Sequence, residues 1–283
     1  MTSNPASSSL LSTPLDPSEI ENRLTFACDL VRRAGKAARV AWQTGSLAVE
    51  VKGPQDFVTA IDRDTETLIR NELAQAFPGD SVLGEEFGGA ESDGPLWVVD
   101  PIDGTANFIR GLGDWAVSLA LVHQGELILG IVYDGGRDLL YWGRSGHGAF
   151  CEARALHAAT TDQLSKALIM LGTNQKTALD DHLDDHRTLR ALGTEYRRHG
   201  SAATGLLMVA DGRVDAYYER YLNAWDALGG LCIAQEAGAL SKLPAMDAFL
   251  TSAGPVLCAT ATLFDDVNSA LNANRSSPPI VQL

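Results

Sequence analysis

Carboxylates at the ends of apolar runs are the residues of this chain that could carry chemistry. Asp100 ends the apolar run Trp97–Val99, and Asp103 follows three residues later, across a corner made by Pro101. Two carboxylates beside a hydrophobic strand repel each other and are costly to remove from water, and a bound cation removes that cost. A helix cap or turn would explain Asp103 but not Asp100 beside it. The pair therefore indicates a metal site.

Three further acidic segments have a similar placement. They are Gly84-Glu85-Glu86 after Val82-Leu83, Asp226 after Trp225 at the start of an apolar segment, and Asp56-Phe-Val-Thr-Ala-Ile-Asp62. Each alone is more often a helix cap than a ligand, but four such segments favour one cluster. The predicted ligands are all oxygens: the carboxylates of Glu85, Asp100, Asp103 and Asp226, and the carbonyl of Ile102. Oxygen ligands without His or Cys favour Mg²⁺.

The residues after Asp103 add a phosphate-binding element to this predicted metal site. The amides of Gly104 and Thr105 open the next predicted helix, and free amides at a helix N-terminus bind phosphate. Mg²⁺ keeps several of its waters, and one of them can become a nucleophile. A metal, a phosphate cradle and an activated water together predict hydrolysis of a phosphate ester by in-line attack.

With these motifs the sequence resembles the inositol monophosphatase family of Mg²⁺-dependent, Li⁺-sensitive phosphatases over roughly residues 20–270. The resemblance is carried by the Asp56–Asp62 and Glu85 segments, by Asp100-Pro-Ile-Asp-Gly-Thr105, and by Trp225-Asp226 running on to Glu236-Ala-Gly238. It implies an α+β fold, a layered α/β/α/β/α sandwich with largely antiparallel sheets. It also implies two to three Mg²⁺ ions per site, a homodimer and a small phosphorylated polyol as substrate.

The family pattern implies a role for each matching residue. Glu85, Asp100 and the Ile102 carbonyl would hold the first metal, and Asp100, Asp103 and Asp226 would surround the second. Thr105 and Asp62 would orient and deprotonate the attacking water, with Glu85 counted as catalytic through a possible third, water-linked Mg²⁺. The predicted substrate-binding residues are Gly104, Thr105, Asp103, Ser201, Ala202, Glu219 and Asp226, with Ser201 and Ala202 beside the sugar ring and Glu219 accepting from its hydroxyls.

The predicted function is hydrolysis of inositol-1-phosphate or a related small polyol or sugar phosphate. Histidinol phosphate and fructose-1,6-bisphosphate remain alternatives for the same chemistry, because the Glu219 carboxylate accepts from a sugar hydroxyl but also pairs with a cationic amino alcohol. A different class of function is a regulatory protein-interaction role with incidental catalysis.

The composition indicates which kinds of partner and which cellular compartment suit this chain. The 283 residues include 22 Lys plus Arg and 36 Asp plus Glu, a net charge of −14, which argues against a nucleic-acid partner. No uncharged apolar run reaches about 18 residues, so no membrane-spanning helix is expected. The Ser- and Pro-rich start lacks a secretory signal. Four scattered cysteines are typical of reduced core residues, so we predict a cytoplasmic protein.

Hydrophobic periodicity predicts the elements that position these residues. The predicted helices are Glu19–Thr44, Asp62–Phe77, Ala202–Ala210, Trp225–Ala237 and Thr262–Leu271. The predicted strands are Ala48–Val51, Leu96–Val99 (ended by Pro101), Ala116–Val122, Leu127–Tyr133, Leu139–Trp142, Leu168–Leu171 and Pro255–Ala259. The short gaps after Val122 and Tyr133 predict an antiparallel meander.

We divide the chain into a flexible leader (1–18), an N-terminal metal- and phosphate-binding half (19–150), a C-terminal α/β half that completes the site (151–273) and a flexible tail (274–283).

Two other sequence patterns resemble metal sites but lack a required residue. His182 and His186 have helical spacing, but a zinc peptidase needs Glu at position 183, which is Leu. The run Asp62–Glu66 resembles the start of a calcium loop, but Thr67 stands where Gly is required.

Overall fold

The computed structural model describes residues 14–45, 49–53, 56–89 and 94–272. Residues 1–13 of the predicted leader and all of the predicted tail lie outside this range, as do the first residue of the predicted strand at Ala48 and the side chain of Asp56. In the described part, the helices are α1 Pro17–Thr44, α2 Ala60–Ala76, α3 Thr105–Ile109, α4 Leu179–Ala191, α5 Ala202–Ala210, α6 Ala224–Glu236, α7 Met246–Thr251 and α8 Phe264–Asn272. The strands are β1 Val49–Gly53, β2 Asp56–Thr59, β3 Ser81–Gly84, β4 Leu96–Asp103, β5 Ala116–His123, β6 Glu126–Asp134, β7 Leu139–Arg144, β8 Gly148–Cys151, β9 Arg154–Ala155, β10 Leu168–Leu171, β11 Glu195–Arg197, β12 Ala216–Leu222, β13 Ala239–Lys242 and β14 Gly254–Thr260.

A seven-stranded sheet of order β3-β4-β5-β6-β7-β8-β9 carries the predicted meander, which is confirmed. Only its β3–β4 pair is parallel. A five-stranded sheet of order β11-β10-β12-β14-β13 is mixed, because β10 runs parallel to both of its neighbours. Strands β1 and β2 form a separate antiparallel pair.

The two larger sheets and their helices form the layers of an α+β sandwich, as predicted. Helices α1 and α2 pack on one face of the seven-stranded sheet, and α6 covers the other face with α5 beside it. Helices α4 and α8 lie on the far side of the five-stranded sheet. The contact between α6 and the sheet is close, since a Cβ at Gly130 would lie 2.3 Å from the carbonyl oxygen of Gly229.

One apolar core joins both predicted halves of the chain. It includes Leu96 and Val98 from β4 together with Leu228 and Leu231 from α6. The proposed boundary near residue 150 stays a prediction. None of the helices in the described ranges combines the length and apolarity needed to cross a bilayer. All four cysteines are free thiols.

The predicted leader extends too far into the chain. Helix α1 already begins at Pro17, because the Asp16 side chain accepts a hydrogen bond from the Ser18 amide while Glu19 accepts one from the Asp16 amide. This reciprocal cap, with proline in the first turn, fixes the helix start before residue 18. The helix ends at Gly45, whose φ of 66° suits a glycine cap.

Candidate metal and phosphate site

Three of the predicted metal ligands meet in the structure. Carboxylate oxygens of Asp100, Asp103 and Asp226 all lie within 4.8 Å of one another, although Asp226 is more than 120 residues away in sequence. Asp100 and Asp103 are buried at the end of β4, and Asp226 lies in the first turn of α6. Among the described residues, this is the one group of three or more acidic, His or Cys side chains with such geometry.

A β-bulge brings Asp100 and Asp103 to the same side of the sheet. On a regular strand, residues three apart point to opposite faces. Here Asp100 pairs with Ser118 and Asp103 pairs with Ala116, so β4 carries one extra residue across this step. The prediction that Pro101 ends the strand is therefore wrong. The missing amide of Pro101 falls within the bulge, where the strand ladder is already interrupted.

Asp226 is held by the start of its own helix. One oxygen, Oδ2, accepts hydrogen bonds from the Asn223 amide at 3.1 Å and from Asn223 Nδ2 at 3.0 Å. Its position at the third residue of α6 is typical of a capping residue. The Asp226 side chain therefore caps α6 and also belongs to the carboxylate cluster.

The cluster is electrostatically strained without a cation. Burial raises the pKa of Asp100 well above its usual 3.8, and the negative charges of Glu85, Asp103 and Asp226 raise it further. Burial and the charge of Asp226 raise the pKa of Asp103 to about 7. Burial also raises the pKa of Asp226. Buried carboxylates that repel one another in this way fit a hard divalent cation such as Mg²⁺, which favours oxygen ligands.

Glu85 and Ile102, the other two predicted ligands, lie near this cluster, although neither belongs to the group of three. The Glu85 amide donates to the Val99 carbonyl at 3.3 Å, and its charge acts on Asp100. The Ile102 amide donates to Asp100 Oδ1 at 3.0 Å. The Ile102 carbonyl lies 2.9 Å from Thr105 Oγ1, whose single proton is shared between this carbonyl and Asp62.

Thr105 and Asp62 form the predicted hydroxyl–carboxylate pair. Thr105 Oγ1 lies 3.1 Å from Asp62 Oδ1. The other oxygen of Asp62 accepts from the amide of Thr59 at 2.9 Å and from its hydroxyl at 2.6 Å. Asp62 is 1% exposed, and this burial raises its pKa. A carboxylate with a raised pKa, fixed beside a hydroxyl, can accept a proton from a water bound next to the pair.

Gly104 makes the turn from β4 into α3. Its φ is 87°, and a Cβ there would lie 2.8 Å from the carbonyl oxygen of Asp114, so only glycine fits. Helix α3 begins at the next residue, Thr105. The first amides of a helix have no acceptor within it, so those of Thr105 and its neighbours can serve an external anion.

Ser201 and Ala202, predicted beside the sugar ring, lie directly against Asp103. The Asp103 carboxylate accepts hydrogen bonds from the Ser201 hydroxyl, from the Ala202 amide at 3.2 Å and from the Ala203 amide at 2.8 Å. These groups form the N-terminus of α5, whose dipole favours a negative charge. The start of α5 thus holds Asp103 toward the cluster.

Glu219 lies on β12 and faces the same acidic cluster. Its Oε2 accepts from the Tyr217 hydroxyl at 2.6 Å, and its Oε1 accepts from Asn174 Nδ2 at 3.2 Å. Burial, together with the charges of Asp226 and Asp103, raises the pKa of Glu219 to about 7. A Cβ at Gly172 would lie 2.1 Å from Glu219 Oε2, so the chain passes directly over this carboxylate.

Sequence reasoning missed two side chains around Glu219. Tyr217 is two residues before Glu219, and only the alternation of a strand would have placed it on the same face as Glu219. Asn174 gives no local signal, because it reaches Glu219 from a loop 45 residues earlier. The histidines set aside above do contact each other, with Nε2 atoms 3.0 Å apart, but no described acidic, His or Cys side chain joins them as a third ligand.

Comparisons with known proteins identify one family. A sequence profile of the inositol monophosphatase family matches residues 19–275. The inositol-1-monophosphatase of Rhizobium meliloti (strain 1021) is 38% identical over 242 residues, covering 83% of this chain and 90% of that protein. The Nus factor SuhB of Pseudomonas aeruginosa is 36% identical over 226 residues, 77% of this chain and 83% of that protein. The crystal structure of extragenic suppressor protein suhB from Bartonella henselae has a TM-score of 0.83 at 29% identity, covering 90% of this chain and all of that one.

Proposed function

The chain belongs to the inositol monophosphatase family and is a phosphoric monoester hydrolase, and we propose that it hydrolyses inositol-1-phosphate or a related small polyol phosphate with Mg²⁺. The observation that carries the proposal is the cluster of the buried Asp100 and Asp103 with the half-buried Asp226, which is costly to the fold unless it serves a cation. The name of the Rhizobium relative supports the inositol phosphate as the first substrate to test.

The metal ligands in this proposal are Glu85, Asp100, the Ile102 carbonyl, Asp103 and Asp226, for two to three Mg²⁺ ions. Bound Mg²⁺ would supply charge neutralisation at the phosphate and lower the pKa of a coordinated water. The N-terminus of α5 holds Asp103 in place, and Asn223 holds Asp226.

The remaining residues of the site would bind the phosphate and move one proton. The amides at Gly104 and Thr105 would receive phosphate oxygens at the start of α3. The Thr105 hydroxyl would orient the attacking water by accepting a hydrogen bond, while Asp62 would take its proton directly or through Thr105. Because Thr59 holds Asp62 and the Thr105 hydroxyl also contacts the Ile102 carbonyl, the alignment of the pair does not depend on the substrate.

Recognition of the alcohol half of the ester would come from Glu219. Its carboxylate accepts from Tyr217 and Asn174 and retains acceptor capacity for a substrate hydroxyl. Ser201, Ala202, Asp103 and Asp226 would complete the wall beside the ring. The Glu219 carboxylate favours a polyhydroxylated ring, with histidinol phosphate and fructose-1,6-bisphosphate as the competing substrates to include in a panel.

The test is phosphate release from inositol-1-phosphate, with Mg²⁺ and with EDTA, in the wild type and in Asp103→Asn. The exposed Asp247→Asn in α7 is a matched control outside the site. We expect Mg²⁺-dependent activity in the wild type and control, and a loss of several orders of magnitude in Asp103→Asn, because the cluster loses a ligand charge. Equal activity in all three proteins would refute the metal-ligand assignment.

Finer features of the proposal follow the family resemblance. We propose inhibition by Li⁺, a homodimer and a cytoplasmic location, the last because four free thiols suit a reducing compartment. Light scattering tests the dimer. Activity that is unchanged at tens of millimolar Li⁺, roughly the level that a weak ion site requires, would count against the proposed Li⁺ inhibition.

A second candidate function is favoured by one observation, the name Nus factor SuhB carried by the Pseudomonas relative. It is a regulatory interaction with another protein, in which catalysis is incidental. Normal growth of cells carrying the Asp103→Asn allele, where a deletion fails to grow, would support this candidate. Failure of both strains would support the enzymatic function.

A further inference from the structure

The loop that carries Glu85 is closed on itself and docked on β4. We define the Glu85 loop as residues 84–88, between β3 and the turn at Gly88. The amide of Gly84 donates to the Gly88 carbonyl and the amide of Gly88 donates back to the Gly84 carbonyl, both at 3.0 Å. The Glu85 amide donates to Val99, the residue before Asp100. The position of the Glu85 carboxylate therefore depends on the backbone of five residues.

A second carboxylate, Glu66 of α2, lies beneath this loop. Its side chain is fully buried. Oε2 accepts from the Glu86 amide at 2.8 Å, and Oε1 accepts from the Phe87 amide at 3.3 Å. The approach is so close that a Cβ at Gly84 would lie 2.0 Å from Glu66 Oε1. Two successive amides, directly after Glu85, thus end on one carboxylate.

Arg70 completes this support from the next turn of α2. Its Nε donates to Glu66 Oε1 at 2.7 Å, so the buried carboxylate is paired with a cation. Its Nη1 donates to the Val82 carbonyl at 3.1 Å, and its Nη2 donates to the Gly88 carbonyl. The Gly88 carbonyl ends the Glu85 loop, and the Val82 carbonyl lies in β3 just before it. Glu66 and Arg70 together therefore bind amides at the centre of the loop, the carbonyl at its end and the strand that leads into it.

The same face of α2 also carries Asp62. Asp62, Glu66 and Arg70 are spaced four residues apart, which places them in one row along a helix. The first faces Thr105 and the next two hold the Glu85 loop. One rigid helix thus sets the distance between the hydroxyl–carboxylate pair and the loop that bears Glu85.

We propose that Glu66, supported by Arg70, is a positioning residue that holds the Glu85 carboxylate at Asp100, so that the two can share one cation. This inference depends on the proposed Mg²⁺ function of the cluster. A buried ion pair is a poor way to stabilise a fold, since apolar residues of similar size often do as well or better. Here the pair is matched instead to the amides and carbonyls of one loop. Loss of such an outer support typically weakens metal binding about 10- to 100-fold.

The experiment is a double-mutant cycle read by calorimetric titration of Mg²⁺, without substrate. The variants are Glu66→Gln, Glu85→Gln and the double variant, with the exposed Asp64→Asn on the same helix as control. We expect Glu66→Gln to weaken the tighter Mg²⁺ site by about 10- to 100-fold, and Asp64→Asn to leave it unchanged. In the Glu85→Gln background, we expect Glu66→Gln to have no further effect, because the residue that it positions is already lost.

Two outcomes would overturn the inference. The first is an unchanged Mg²⁺ affinity in Glu66→Gln. The second is that Glu66→Gln lowers the Mg²⁺ affinity just as much when Glu85 is already Gln, since a general structural role would act in both backgrounds. If Glu66→Gln does not fold, Arg70→Lys replaces it in the cycle, because lysine keeps the charge but cannot reach three acceptors. A wild type that binds no Mg²⁺ would refute the proposed function itself, which distinguishes the two failures.

Discussion

Asp100→Asn should stabilise the metal-free protein while abolishing its response to Mg²⁺. The oxygens of Asp100, Asp103 and Asp226 lie within 4.8 Å of one another. At an effective dielectric constant of about 20, two unit charges at that distance repel by roughly 3 kcal/mol. The amide introduced by the substitution would keep an oxygen for the Ile102 amide and offer an N–H toward Asp226. Because protonation already relieves part of the repulsion, we expect a gain of about 1–3 kcal/mol in unfolding free energy.

The gain should depend on pH with a definite sign. The pKa of Asp103 in the folded protein is raised from 3.8 to about 7, and that of Asp100 is also raised. Below its pKa in the unfolded chain, such a group is protonated in both states and does not reduce folding stability. Stability then falls as pH rises toward the pKa of the group in the folded protein, because the unfolded chain ionises first. The advantage of Asp100→Asn should therefore grow from acid to mildly alkaline pH.

The assay is urea unfolding followed by circular dichroism in EDTA, at about pH 5 and about pH 8, repeated with saturating Mg²⁺. Asp247→Asn, on the exposed side of α7, controls for loss of a charge. In Mg²⁺ the wild type and the control should gain stability, because the ion binds only the folded state, whereas Asp100→Asn should not. A variant less stable than wild type in EDTA at the higher pH, or equally stabilised by Mg²⁺, would refute the reasoning.

Three further predictions concern individual parts of the site. Thr105→Val should lower kcat about 10²- to 10⁴-fold with little change in KM, because it removes the hydroxyl beside Asp62; steady-state kinetics at saturating Mg²⁺ would show an unchanged kcat if this is wrong. Tyr217→Phe should raise the pKa of Glu219 further, by removing its 2.6 Å donor, and should raise KM for inositol-1-phosphate more than KM for p-nitrophenyl phosphate; equal effects on both substrates would contradict this role. Ile69→Ala, at a fully buried position of α2, should cost about 2–5 kcal/mol in urea unfolding, and a cost near zero would show that α2 is not packed as described.

The ligands of the candidate site were predictable because each lies near one end, the start or the finish, of an apolar run. Asp100, Asp103 and Asp226 needed no long-range information to be suspected, and the structure brings them together. What the sequence did not reveal was how β4 places two of them on one face. A spacing of three residues is wrong for a regular strand, and the bulge at Pro101 corrects it.

Elements that depend on distant partners were harder to predict. Strand β12 was missed, although it carries Glu219, because its neighbours are β10 and β14, which lie far away along the chain. The parallel pairing of β10 was missed for the same reason. Glu66 was considered only as part of a run resembling a calcium loop, since its partners are backbone amides about 20 residues later and leave no side-chain pattern.

The central claim, that the acidic cluster is a metal site, is tested most directly by anomalous diffraction from crystals soaked in Mn²⁺ as a substitute for Mg²⁺. We predict anomalous peaks within about 2.0–2.4 Å of carboxylate oxygens of Asp100, Asp103 and Asp226. An empty cluster in crystals that take up Mn²⁺ at other positions would contradict the account.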